Sequence, residues 1–231
     1  MTKLNIELAT IKEETISMWK LVQSQLQKGL SALLNFDKDL AREVVMIEKR
    51  VNGAELKIDR DCEDIFAIYS PVAIDLRFLL AVLKINTNLE RMGDIAEGIA
   101  KMILDTDAPY KKQLLDSTQV VEMYHESLQI VEEILAAFEN EDSAKARGIF
   151  KRDELLDEIN KKANDLIMGY IKQNPQDVSQ ALTILSIIRR LERVGDQAEN
   201  IAEEIIFYIE AKVIKHTSKK EKRSDDNEPL K

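Results

Sequence analysis

The stretch ERMGDIAEGIA at residues 90–100 returns as ERVGDQAENIA at residues 192–202. Eight of the eleven positions are identical, at an offset of 102, where unrelated segments would share about one. Asp75 and Asp177 match at the same offset. Further upstream the offset becomes 105, pairing Met18 with Met123, Leu30 with Leu135, Asp37 with Asp142, and Ala41-Arg42 with Ala146-Arg147. The change falls between the loops at Pro71 and Pro175, so the later loop is the shorter one. A whole half of the chain is duplicated, not one motif.

Each half reads as three helices. Only seven Gly and four Pro punctuate the 231 residues, 45% of the chain is apolar, and strand signals are missing, which is the composition of long helices. The expected helices run over about 6–35, 39–68 and 73–104, then 117–140, 142–173 and 177–212. Pro71 ends the second helix because the residue before a proline avoids helical geometry. Asp142 and Asp177 are expected N-caps. Short connections force antiparallel neighbours. The fold class is therefore all-α, two tandem three-helix bundles, with the first bundle at 1–107, the second at 108–213 and a disordered, charged tail at 214–231.

Charge and cysteine usage narrow the function. A net charge of −9 argues against nucleic acid, which needs a basic face, and suits cations. The single cysteine, Cys62, fits a reducing compartment. Residues 1–7 lack the apolar run of a secretory leader and no 18-residue span is free of charge, so neither a leader nor a membrane-spanning helix is expected. A cytoplasmic protein without membrane insertion is expected.

The repeated segment carries its acids in a helical register. Residues i, i+4, i+7 and i+11 lie within roughly 60° of one another around a helix. Glu90, Asp94, Glu97 and Lys101 fill that stripe in the first half, and Glu192, Asp196, Glu199 and Glu203 fill it in the second. The preceding helices carry a second stripe: Glu48, Asn52, Glu55 and Asp59, matched by Asp153, Asp157, Asn160 and Asn164. Acids four apart are common on any solvated helix face, and like charges so placed cost a few tenths of a kcal/mol per pair. Four such stripes at matched positions favour a bound cation, and hard oxygen donors suit Mg, Mn, Fe or Ca. Gly93 and Gly195 interrupt helices at a cost of about 1 kcal/mol each relative to Ala, from either function or close helix packing. The acid-richer second half is expected to hold the stronger site.

The paired ERxGDxAExIA segments, the first preceded by Asp75-Leu76-Arg77, resemble the PhoU family of phosphate-uptake regulators over about residues 5–212. The resemblance implies two three-helix bundles related by an approximate twofold. It also implies metal-binding acidic pairs, here Glu90 with Asp94, Glu192 with Asp196, Asp153 with Asp157, and Glu48 with Asn52. The neutral Asn52 makes the last pair the weaker one. Glu97 and Glu199 complete the expected set, with divalent or trivalent Fe, Mn, Mg or Zn as the ion. Family members often carry His after the motif Asp, where this chain has Ile95 and Gln197, which leaves the ion's identity more open. The resemblance further implies a negative regulator of phosphate uptake and of the starvation response. Its partners would be the ATPase of a phosphate ABC transporter and a sensor histidine kinase, at the inner face of the membrane, and a homodimer or higher homo-oligomer is expected.

Enzymatic readings find little support. A di-iron carboxylate site needs two Glu-x-x-His pairs, and only Glu122 with His125 qualifies, because the other histidine, His216, lies in the tail. Cys62 has no histidine near it in sequence. A metal-free scaffold remains the other reading, with Trp19 and Tyr124, at equivalent first-helix positions, as partner anchors or as core.

Overall fold

The computed structural model describes residues 2–215. The described residues form α1 (Lys3–Asn35), α2 (Lys38–Tyr69), α3 (Ala73–Asp105), a short α4 (Lys112–Thr118), α5 (Val120–Asn140), α6 (Ser143–Gln173) and α7 (Val178–Glu210), with a 3-10 turn at Pro175–Asp177 before α7. Three helices from each half pack together: α1 with α2 and α3, and α5 with α6 and α7. The two tandem bundles are joined side by side through α3 and α7.

The local chemistry explains most of the boundaries. The Asp37 carboxylate caps α2 by accepting from the backbone N–H groups of Asp39 and Leu40, each at 3.0 Å, and Asp142 accepts from that of Lys145. Asp177, in contrast, gives α7 no side-chain cap. Its carboxylate instead accepts from the Tyr170 hydroxyl at 2.9 Å and pairs with Lys111 at 2.8 Å, which holds it below the usual carboxylate range, Lys111 first. The helix expected from residue 117 is divided. Thr118 ends α4, and Gln119, in the left-handed region at φ 56°, starts the chain in a new direction. The last helix stops at Glu210, where Ala211 turns left-handed.

Apolar stripes on α1 and α5 fill the core behind the other helices. Trp19 and Tyr124 are both fully buried, so neither is offered to a partner. The Trp19 Nε1–H donates to the Val131 carbonyl at 3.2 Å and stitches α1 to α5 across the halves. Of the tail expected from residue 214, Ile214 is buried and Lys215 pairs with Glu204. The remainder of the tail, with His216, lies outside the described residues.

The join between the halves sets the geometry of everything that follows. Lys84 meets Glu204, Asn88 meets Asn200, and Arg190 lies over Gly98. These three contacts define one antiparallel register, in which Gly93 of α3 is level with Gly195 of α7. The local twofold therefore passes between the two copies of the repeated segment.

Candidate metal-binding grooves

In each half the acid-bearing helices are neighbours, α2 beside α3 and α6 beside α7. Their stripes face one another. The Glu48 carboxyl is pushed up to about 7 chiefly by burial, against the pull of the Gln25 hydrogen bond, with repulsion from Asp94, Glu97 and Glu90 of α3 added. Glu55 is raised by burial and then by Asp59 and Asp94, and Glu90 by burial and then by Asp94 and Glu55. Across the twofold, Glu192 is raised by burial and then by Asp196, Asp157 and Asp153. Each shift has the same origin: carboxylates withdrawn from water beside one another.

The stripes are not uniformly solvent-facing. Asn52, Asp94, Asp157 and Asp196 stand exposed at the grooves, whereas Glu48 and Asp153 are turned inward and buried. Glu199 and Glu203 are also buried. Glu90, Glu97 and Glu192 are half-buried between them.

The motif glycines make this inward turn possible. A methyl group on Gly93 would lie 2.7 Å from Glu48 Oε2 and 3.2 Å from Gln25 Oε1. One on Gly195 would overlap Asp153 Oδ1 and sit 2.8 Å from the Leu156 side chain. The glycine inside each repeated segment therefore opens room for the buried acid of the preceding helix. Its neighbour here is a carboxylate, not another helix backbone.

Gln25 was not among the residues singled out by sequence. It is fully buried on α1 and donates from Nε2 to Glu48 Oε2 at 2.7 Å and to the Val44 carbonyl at 3.3 Å. Its signal was visible: an amide on the apolar stripe of Met18, Val22, Leu26 and Gly29. The equivalent position on α5 is Ile130, so the two buried acids have different backing. The far ends of the grooves also differ: Asn86 donates to Asp59 at 2.8 Å in the first half, and Arg189 to Asn164 at 3.1 Å in the second.

The fit to a cation can be judged from polar atoms left over. Glu48 Oε1 and Gln25 Oε1 are buried acceptors with no hydrogen-bond donor, a costly state unless a proton or a cation meets them. Lys101 neutralises Glu97 at 2.6 Å, outside the buried part of the groove. Every donor available is a carboxylate or amide oxygen, so the chemistry suits a hard ion. Among the described residues, no three His, Cys, Asp or Glu side chains converge on one point in ligating geometry, so an ion would have to draw the exposed carboxylates inward.

Other reactive groups are set apart from the grooves. His125 is exposed on α5. Cys62 is buried, with its thiol pushed up to about 12 by burial first and then by Asp59 and Asp61, so it holds its proton at neutral pH.

Fold and grooves together define a duplicated helical protein with two twofold-related carboxylate channels. The PhoU domain matches it twice, at residues 15–103 and 120–205, and the chain belongs to that family. The phosphate-specific transport system accessory protein PhoU of Escherichia coli K12 is 31% identical over 93% of this chain and 88% of its own length. A PhoU homolog of Aquifex aeolicus is 34% identical over 95% and 99%. The crystal structure of PhoU from Pseudomonas aeruginosa superposes with a TM-score of 0.82 at 30% identity, over 91% of this chain and all of that one.

Proposed function

We propose that this chain is a metal-binding regulatory accessory protein of phosphate transport, not an enzyme. The names of its relatives support the accessory role: phosphate-specific transport system accessory proteins in Escherichia coli and Edwardsiella tarda, and a phosphate transport system regulatory protein in Streptococcus pneumoniae. No helix among the described residues is long and apolar enough to cross a membrane, so an accessory protein of a transporter would dock from one side. In this reading it acts in the cytoplasm on the transporter ATPase and a sensor histidine kinase, restraining uptake and the starvation response. Self-association as a homodimer or higher oligomer belongs to the same reading.

The observation that carries the metal part is the pairing of a buried acid with a motif glycine in both halves, Glu48 on Gly93 and Asp153 on Gly195. A buried carboxylate is expensive unless it is neutralised, and this arrangement recurs in each groove, where two oxygen-bearing stripes meet. Glu48, Asn52, Glu90, Asp94 and Glu97 would hold an ion in the first half, and Asp153, Asp157, Glu192, Asp196 and Glu199 in the second. Bound Fe, Mn, Mg or Zn would neutralise the channels and stiffen the outer surface that a partner reads.

Elemental analysis of gently purified protein tests this. Stoichiometric metal in the wild type and a clear loss in Asp196→Ala are expected. Metal-free protein whose melting temperature ignores added Mn or Fe would overturn it in favour of a metal-free scaffold. Co-purification of the identified transporter ATPase from phosphate-replete cells tests the accessory role separately.

A further inference from the structure

The antiparallel α3–α7 seam carries a feature that the duplication does not explain. Glu204 is 2% exposed and is gripped from both sides, by the Lys84 ammonium at 3.1 Å on Oε2 and by the Lys215 ammonium at 2.7 Å on Oε1. One lysine would neutralise a buried carboxylate, and two leave a positive charge over. Arg91, exposed to one side of them, adds a second, and its charge also eases the ionisation of Glu90. These groups, with Asn88, Thr87 and Asn200, line a concavity of about 460 Å³. A chain with net charge −9 thus gathers an excess of two positive charges in one hollow.

We propose that this hollow is an oxyanion-binding site, for a phosphate-type group held by Lys84, Arg91 and Lys215. The cations are held in place before any ligand arrives. The Lys84 ammonium lies 5.5 Å from the Phe207 ring centre as well as on Glu204, and both ammonium groups remain about half exposed, each with N–H donors beyond the one spent on Glu204. Glu204 does not repel an anion strongly, because it is recessed and both of its oxygens are engaged. Arg91 supplies a planar donor fork suited to two oxygens of one tetrahedral group, and the preset geometry lowers the ordering cost of binding.

The twofold-related positions are built differently. There Ser186 and Met102 stand where Lys84 and Glu204 stand here, and Arg189, Arg190 and Arg193 stand where Thr87, Asn88 and Arg91 do. A recessed carboxylate gripped by two lysines is therefore peculiar to one side of the seam.

Calorimetric titration of the chelator-treated full chain with inorganic phosphate tests the proposal without any metal. The expected result is a dissociation constant of about 1 mM or tighter, weakened about tenfold or more in Arg91→Gln and in Lys215→Gln, as loss of one close charge implies. Both side chains are solvent-facing, so neither change threatens the fold, and Arg193→Gln at the twofold-related position should leave binding unchanged. Sedimentation with vesicles of phosphatidic acid in phosphatidylcholine separates the sources. Arg91-dependent vesicle binding with silent calorimetry assigns the oxyanion to a lipid headgroup, and the reverse assigns it to dissolved phosphate. Absence of both, or equal binding by Arg91→Gln and Lys215→Gln, overturns the site.

Discussion

The Glu48 carboxylate rests where a Gly93 side chain would be, 2.7 Å from the position of its missing methyl group. The same relation holds more tightly between Asp153 and Gly195. The two contacts respond differently to strain. The Glu48 carboxylate sits at the end of a flexible chain, tied only to Gln25, with the Val51 side chain 3.2 Å from the same spot, whereas Asp153 is one methylene shorter and Leu156 crowds closer, at 2.8 Å.

Gly195→Ala should therefore destabilise the protein by about 1–3 kcal/mol, as overpacking does. Gly93→Ala should lie within about 1 kcal/mol of the wild type, since the helix-propensity gain of alanine offsets the displacement of Glu48. Urea midpoints of the two variants measure the difference. Equal losses would show that the buried acids are equally free to move.

Burial raises the folded-state Glu48 carboxyl from 4.5 to about 7, so between those values the folded protein binds a proton that the unfolded chain has released. Its contribution to stability falls as pH rises through that window and is least favourable above it. Glu48→Gln should leave the metal-free protein little changed near pH 4.5 and stabilise it at pH 8 by up to about 3 kcal/mol. Thermal melts across that range, with chelator present, give the comparison.

Asn52 occupies the exposed place that Asp157 fills in the other half. Asn52→Asp adds a charged oxygen to the first groove and should tighten its ion binding by about tenfold, because affinity follows ligand charge. A metal titration that resolves two sites in the wild type should show them converging in the variant.

Cys62 is shielded by the core and keeps its proton. Its labelling by a thiol reagent at neutral pH should proceed only through opening of the α1–α2–α3 packing and track denaturant-induced unfolding. Rapid labelling of the native protein would contradict the burial.

Much of this architecture is legible in the chain. Identical residues at fixed offsets expose the duplication, and acids at i, i+4 and i+7 expose the stripes, because the helix repeat is a local property. What stays hidden is the direction each acid takes across a groove. Glu48 and Asn52 share one stripe, yet one is buried and the other exposed, since only the position of α3 decides which of them meets it. Gln25 reads as an anomaly of an apolar face until Glu48 is placed beside it. The break at Gln119 escapes a periodicity argument because both flanking segments are helical. The Lys84–Glu204–Lys215 contact joins residues far apart in sequence and absent from the other repeat, so no internal comparison could reveal it.

The seam along α3 and α7 has a genetic consequence. A polypeptide ending after the first half would leave the α7-facing side of α3, including Ala81 and Ile95, open to water, and would lose the Trp19 anchor on Val131. Such a fragment could shelter that side only against another like itself, in the same antiparallel register. The present chain is in effect a fused pair, and fusion lets each copy differ: one carries the fuller set of acids, and the other carries Lys84 and Gln25.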